Sequence, residues 1–457
     1  MNSKPMGNAV RAGLGCAAAL AFLHLPAAAA EPVTLPDSTV AESWELPNGL
    51  RVVTRHIPRT TGVAIVVCYR AGSDDDPPGS EGTASLIAEV AFTSAAGEMP
   101  ERTREEMRGL RPLGWNLRVS PDHTQFCEIA SREQFPGVLR EVATRMRGVK
   151  VTESGVRAAI ATVKRDLARA YSGDVDLLVH NQLHQLATGD GREAARRYAS
   201  GGGLRGLAAR QIQQHIQTLY VPSNAVLSLA GNLSGFDLRR LLEREFGDLP
   251  AGARVPAPAR GRFTPGVWSM PQAGLSEPVA ALGITAPALG DSSHPSFYLH
   301  TLVIGSMCMD RWGPPQAPLT SRFEYSLLED PDLVRFYPPT SSDPADTNSI
   351  AIPLWIVIGQ LPDGLVEPET HGRLDQAISW LLGGPMMGDL VDRMRSEPGT
   401  LYLLAGAMAL REMRGGEPFW AEYRRRFAEA KDTAVEQWRS YLVSPDRCVQ
   451  LRLIPKR

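Results

Sequence analysis

Residues 220–229, YVPSNAVLSL, and residues 442–451, LVSPDRCVQL, run through the same three steps: the end of a helical stretch, a proline-containing turn and an apolar strand. They start 222 residues apart (442 minus 220) in a chain of 457. A chain of that length exceeds one compact core, since single cores stop growing near roughly 250 to 300 residues. The echo therefore reads as a duplicated unit. Its alternative reading is a common helix–turn–strand joint met twice, and the order of elements around each copy favours duplication.

Working outward from the first copy, Asn48-Gly49 in LPNGLRVV marks a turn before a strand, and TGVAIVVCYRAGS (61–73) reads as a buried strand ending at Gly72. Asp74 to Gly79 is a loop, Glu81 to Ala95 and Arg102 to Leu110 are helices, and WNLRVSPDHTQFCEIA (115–130) is a hairpin turning at Pro121-Asp122. Helices follow over Arg132 to Met146, Thr152 to Tyr171, Val175 to Leu186 and Ala208 to Tyr220. Then come the strand AVLSLAGNL and a short amphipathic helix capped by Ser234. Residues 251–266 form a Pro- and Gly-rich linker. Beyond it the spacing predicts a strand at PVAALGITAP (278–287), helices at Ser296 to Met307 and Ser321 to Glu329, and a strand at SIAIPLWIVIG (349–359). Three helical stretches and a last strand, RCVQLRLIP (447–455), complete the pattern. Strands, helices and strands again on both sides of the linker make an α+β chain of two homologous domains, residues 31–250 and 267–457, each a mostly antiparallel sheet covered by helices.

Hydrophobic residues at 43%, charged residues at 21% and a net charge of −2 create no field for nucleic acid or an anionic membrane, and no nucleic-acid partner is expected. Lys4 and Arg11 flank the start of an apolar run, Ala12 to Leu25, which ends at Pro26 with Ala28 and Ala30 in an A-x-A arrangement. Residues 1–30 read as a secretory signal peptide cleaved after Ala30; the alternative is an uncleaved anchor, for which the run falls short of the roughly 20 residues a spanning helix needs. Cys16 has a poor lipobox before it. No second run of spanning length follows, so the mature chain is expected to lack a membrane span and to be periplasmic or secreted in a bacterium. Cys68, Cys127, Cys308 and Cys448 lack metal-ligand spacing and read as small core residues; export permits a disulfide without demanding one.

Four segments, LPNGLRVV, YRAGSDDDPPGSEGTAS (69–85), NLRVSPDHTQF (116–126) and LYVPSNAVLSLAGNL (219–233), stand in order across residues 44–250 and resemble the pitrilysin/insulinase family of zinc peptidases, which includes the mitochondrial processing peptidase. The second half resembles that family's C-terminal domain through SRFEYSLLED (321–330) and its element order. The resemblance implies two homologous domains forming a clamshell around a central chamber in which extended peptides bind. Its chemistry implies H-x-x-E-H on a helix: two histidines four apart bind zinc, the glutamate activates water, and a later glutamate completes the metal shell.

Set on that pattern, GTASLIAEVAF (82–92) puts Ser85 at the first histidine, Ala88 at the glutamate and Glu89 at the second histidine, and TVKRDLARAYSGD (162–174) puts Asp166 at the later glutamate. A shift of one residue would give Glu89 the glutamate position but flank it with Leu86 and Val90, which cannot bind metal. SRFEYSLLEDPDLVRFY (321–337) puts Leu328 and Arg335 where the family holds a substrate-orienting arginine and tyrosine, with Tyr337 within a two-residue shift. Glu89 and Asp166 also read as ordinary polar helix residues. His180 and His184 share a helix face without an acid between them and read as a solvated or capping pair, and His123 as exposed loop.

The expectation is a non-catalytic family member, a pseudopeptidase without catalytic residues, bound cofactor or metal, where active relatives carry zinc. It would be exported, pair with an active zinc-peptidase homologue and help form the peptide chamber. The alternative is a stand-alone peptide-binding or assembly protein; least favoured is an active peptidase whose site is set by geometry the sequence does not display. Leu86, Ile87, Val90 and Ala91 recur at helical spacing and would pack the motif helix on the sheet whatever its chemistry.

Overall fold

The computed structural model describes residues 41–173, 175–188, 197–198, 200–253, 263–272, 275, 277–312, 322–328, 330–338, 351–359, 400–430 and 435–456. Residues 1–30, read as a signal peptide, and most of residues 251–266, read as a linker, lie outside the described residues. The first half builds strands β1 (Glu42–Glu45), β2 (Arg51–His56), β3 (Gly62–Tyr69), β4 (Trp115–Val119), β5 (Thr124–Ser131) and β6 (Ala225–Gly231). Its helices are α1 (Thr83–Thr93), α2 (Arg104–Leu110), α3 (Phe135–Arg147), α4 (Glu153–Gly173), α5 (Val175–Thr188), α6 (Ala209–Leu219) and α7 (Leu238–Phe246). The second half builds β7 (Gly266–Gln272), β8 (Val279–Thr285), α8 (His294–Trp312), β9 (Arg322–Ser326), β10 (Asp330–Tyr337), α9 (Ile352–Gly359), α10 (Leu401–Met413), α11 (Gly416–Glu429), α12 (Val435–Leu442) and β11 (Cys448–Pro455).

The first sheet runs β1-β2-β6-β3-β5-β4 and the second β7-β11-β8-β10-β9. With β1 set aside, the two orders match strand for strand. The matched pairs are also alike in direction: β2 with β6 and β7 with β11 are parallel, and the rest of each sheet is antiparallel. The two echoing stretches are the approaches to β6 and β11, each entered through a 3-10 turn that begins on proline, Pro222–Asn224 and Pro445–Arg447. One α+β plan is present twice, and the two-domain clamshell class expected from the sequence is the one adopted.

Strand β3 is buried at every residue, an uninterrupted apolar run because both of its faces are covered. One covering layer is exchanged between the halves. Helix α10, from the second half, lies on β3 and β6 of the first sheet; helix α5, from the first half, lies on β8 and β11 of the second. Ala405, Met408 and Ala409 of α10 join one apolar cluster with Val53, Val66, Cys68 and Val226. Leu178, Val179, Leu183 and Leu186 of α5 join Leu333, Val449, Leu451 and Leu453. Each large aliphatic side chain so buried contributes about 1.5–3 kcal/mol, so the exchange ties the halves together by the same effect that builds each core. Arginines from the first half complete the end of α10: Arg51 donates to the Glu412 carbonyl at 3.1 Å and Arg70 to that of Met413 at 2.6 Å, cations at the negative end of the helix dipole.

Three local expectations are corrected. Residues 352–359, read as a strand, form helix α9. A short apolar run bounded by turns does not separate a buried strand from a buried helix by periodicity, and Pro353 suits a helix's first turn. Residues 321–329, read as a helix, hold β9, whose Phe323 and Tyr325 favour a strand and which forms a hairpin with β10. The cap of α7 is Asp237, accepting from the Arg240 amide at 3.1 Å, while the Ser234 hydroxyl bonds Asn232 and Arg132. Among the described residues no helix is long and apolar enough to cross a membrane.

Candidate functional site

Helix α1 forms where the sequence predicts it. Gly82 enters it at φ 96°, a left-handed conformation glycine takes without strain, and the carboxylate of Asp76 accepts from the amides of Gly82 and Ala84, both at 2.6 Å. The loop carrying Asp76 is held on the β4–β5 turn, with the Ser73 amide on the Ser120 carbonyl at 3.0 Å and the Asp74 amide on that of Pro121 at 2.8 Å. A side chain at Gly72 would meet the Pro121 carbonyl oxygen at 2.2 Å, so this approach requires glycine. Leu86, Ile87, Val90 and Ala91 are all buried, packing the helix as its spacing predicts.

The motif positions are tied up in protein contacts. Ser85 hydrogen-bonds the hydroxyl of Tyr198, which burial pushes up to about 12. Ala88 is buried and carries no ligating atom. Glu89, only 4% exposed, receives the guanidinium of Arg104 through Nε at 3.0 and 2.9 Å and Nη2 at 2.6 Å. The same guanidinium reaches Asp166 on α4 through Nη1 at 2.5 Å. Burial alone would lower the pKa of Arg104, but the hydrogen bonds and charges of Glu89 and Asp166 outweigh it and hold it above its usual value.

These residues do not fit a zinc ion. Two of the positions offer no imidazole, and a cation already stands between the two carboxylates. Among the described residues no group of three or more His, Cys, Asp or Glu is placed to hold a metal. Beside this cluster, Glu128 on β5 is 1% exposed; it accepts from Arg111 at 2.7 Å and pairs with Arg145, and Arg111 also donates to Glu141 at 2.6 Å. Arg145 lies over the Phe92 ring at 5.1 Å.

Of the paired histidines of α5, His184 is buried and His180 is partly exposed, and both have protein partners. His184 bonds Asp74 at 2.8 Å; burial pulls its pKa down, but the Asp74 hydrogen bond and charge, with Asp330 and Asp332, push it up to about 9. His180 pairs with Arg335, whose Nη1 lies 3.4 Å from Asp330 and whose Nε lies 3.5 Å from Glu324. Burial raises Asp330 to about 7 against the charge of His184. This cluster fixes α5 to β10. Leu328 is buried in the core, and its carbonyl accepts from Arg414 at 3.1 Å. Among the described residues neither Leu328 nor Arg335 shares a hydrogen bond or ion pair with Glu89, Arg104 or Asp166.

His123, read as exposed loop, is fully buried beside Asp122 at 2.7 Å, because the loop before α1 and the end of α10 close over the turn that carries it. Burial lowers its pKa against the Asp122 hydrogen bond. Among the described residues Cys68, Cys127, Cys308 and Cys448 are buried free thiols; burial raises Cys308 and Cys448 to about 12 and Cys68 and Cys127 well above the usual thiol range.

Arg104 was not singled out in the sequence, although it carried a signal. It is the first residue of α2, at the positive end of the helix dipole where the first turn otherwise holds Glu105 and Glu106, so a cation there needs carboxylates from elsewhere.

Residues 207–306 match the Peptidase M16 inactive domain family. The chain is 23% identical over 213 residues to the probable mitochondrial-processing peptidase subunit beta of Schizosaccharomyces pombe, covering 46% of each chain. It is 25% identical over 220 residues to an uncharacterized zinc protease of Mycobacterium tuberculosis, covering 47% of this chain and 49% of that protein. These alignments span about half the length of the relatives matched. Its fold is similar to that of a Helicobacter pylori protease, with a TM-score of 0.67, 16% identity and coverage of 91% of this chain and 99% of that one. It is likewise similar to the first half of the periplasmic protease PqqL from Escherichia coli, with a TM-score of 0.64, 15% identity and coverage of 92% and 93%. A peptidase M16 inactive domain from Pseudomonas fluorescens matches with a TM-score of 0.62, 13% identity and coverage of 92% and 98%.

Proposed function

We propose that this chain, which belongs to the M16 peptidase family, is an exported, non-catalytic subunit that pairs with an active zinc-peptidase homologue and helps form its peptide-binding chamber. The observation that carries the reading is the state of helix α1: it is kept whole and buried while its motif positions hold Ser85, Ala88 and an arginine-paired Glu89. Peptide hydrolysis of the family's kind needs a metal-bound water and a base beside it, and these side chains supply neither. The register that sets Ser85, Ala88, Glu89 and Asp166 on the zinc motif, and Leu328 and Arg335 on the orienting pair, is part of the proposal. So are the signal peptide at 1–30, the domain limits at 31–250 and 267–457 about the linker 251–266, and the periplasmic or secreted location.

Peptide binding outlasts the loss of chemistry because it uses backbone. Among the described residues strand β4 ends the first sheet beside α1, and an end strand presents amides and carbonyls on which an extended peptide pairs. The test is to purify the tagged chain from its own host. A second M16 chain with an intact H-x-x-E-H motif, at equal stoichiometry, together with hydrolysis of an extended peptide that requires both chains, is the expected result. A lone chain retaining peptides favours the stand-alone binding protein, and chelator-sensitive hydrolysis by the lone chain overturns both readings.

A further inference from the structure

We infer that Arg104 is a built-in replacement for a metal cation: its guanidinium neutralises Glu89 and Asp166, ties α1 to α4, and keeps a divalent ion out of the space between them. The inference rests on the proposed register of α1 and α4. Two carboxylates from two helices converge here, and without a cation they would repel until one took up a proton. The arginine satisfies both at once, with three contacts of 2.6–3.0 Å to Glu89 and one of 2.5 Å to Asp166. A metal ion would need the carboxylate oxygens that these N–H groups already fill.

The placement is built. Thr103 caps α2, its hydroxyl accepting from the Glu106 amide at 3.2 Å while the Glu106 carboxylate accepts from the Thr103 amide at 2.6 Å, and this fixes the point from which the Arg104 stem departs. The planar fork of the guanidinium is what allows one residue to hold two carboxylates; a lysine ammonium is a point charge on a flexible stem and does not reproduce it.

The test uses the full chain and zinc alone, with affinity measured by competition against a chromophoric chelator. S85H/E89H restores two imidazoles beside Asp166 but leaves Arg104 in place; S85H/E89H/R104A removes it. The triple variant is expected to bind one zinc at least about tenfold more tightly than the double. Equal affinities would overturn the inference, since Arg104 would then not occupy the metal's space. A second measurement keeps the tether open to refutation should the histidine variants fold poorly. R104A is expected to melt below the parent, R104K to recover little of the loss, and R104A/E89Q/D166N, which removes all three charges, to recover most of it. A parental melting temperature for R104A, or full recovery by R104K, would show that the fork is not the tether. Neither measurement reads the partner or hydrolysis of the unaltered chain, so its failure is separable from that of the subunit reading.

Discussion

Glu89 and Glu128 are both buried carboxylates held by arginine, and they differ in how far their partners are withdrawn from water. Arg104 is 30% exposed at its side chain and Asp166 41%, whereas Arg111 and Arg145 are 4% and 11% exposed around a Glu128 side chain at 2%. Removing one partner of a buried pair costs about 3–5 kcal/mol, and the partial exposure of Arg104 sets its own removal somewhat below that range. R104A should therefore lose about 2–3 kcal/mol in urea unfolding and E128A about 3–5 kcal/mol, because the latter takes from the buried Arg145 the carboxylate it pairs with and leaves Arg111 with Glu141 alone. A larger loss from R104A than from E128A would contradict this ranking. At this scale the carboxylates were visible as polar residues on predicted helices, but their partners were not. Arg104 meets Glu89 across 15 residues and Asp166 across 62, separations that no local spacing rule covers.

At the scale of the element, the seating of α5 between the loop before α1 and strand β10 should depend on pH. The folded-state pKa of His184 is raised from 6.5 to about 9, so its contribution is complete below 6.5 and is lost as pH rises through about 9. Asp330, raised from 3.8 to about 7, is most favourable while protonated and costs stability as pH rises toward 7. The signs agree in adjoining windows: Asp330 should lower the melting temperature as pH rises from 3.8 to about 7 and His184 as it rises from 6.5 to about 9, and H184N should flatten the second fall. An imidazole titration by NMR that places His184 at or below 6.5 would remove the basis for this. Single-sequence patterning failed on two elements of the second half, α9 and β9. Comparison of the halves explains both, because β9 and β10 stand where β4 and β5 do, and α9 follows β10 as α3 follows β5. The duplication was legible in the approaches to β6 and β11; what was not carried through was its consequence for the weaker copies of the remaining elements.

At the scale of the whole molecule, the exchange of α5 and α10 makes each sheet depend on the other half for part of its cover. Neither half expressed alone should fold stably, since the first would leave the α10-facing side of β3 and β6 open to water and the second would lose α5 from β8 and β11. Co-expression of the halves should recover soluble protein. Ala409→Asp, a charge placed on α10 at a fully buried position, should destabilise both halves in one transition rather than the second alone. Two separated unfolding transitions, followed by fluorescence of single-tryptophan variants retaining Trp115 in one half or Trp438 in the other, would contradict that coupling. The exchange itself was not legible: hydrophobic patterning reports that α5 and α10 have partners, and topology alone reports that those partners lie in the opposite half.

The measurement that bears most directly on the account is the metal content of the unaltered chain, isolated from its host without added zinc and separated from any companion, together with its hydrolysis of extended peptides. With Arg104 seated between Glu89 and Asp166, the chain should carry no stoichiometric zinc and cleave nothing. One zinc per chain, with cleavage abolished by a chelator, would mean that the register of Ser85, Ala88 and Glu89 is wrong and that this chain is a peptidase in its own right.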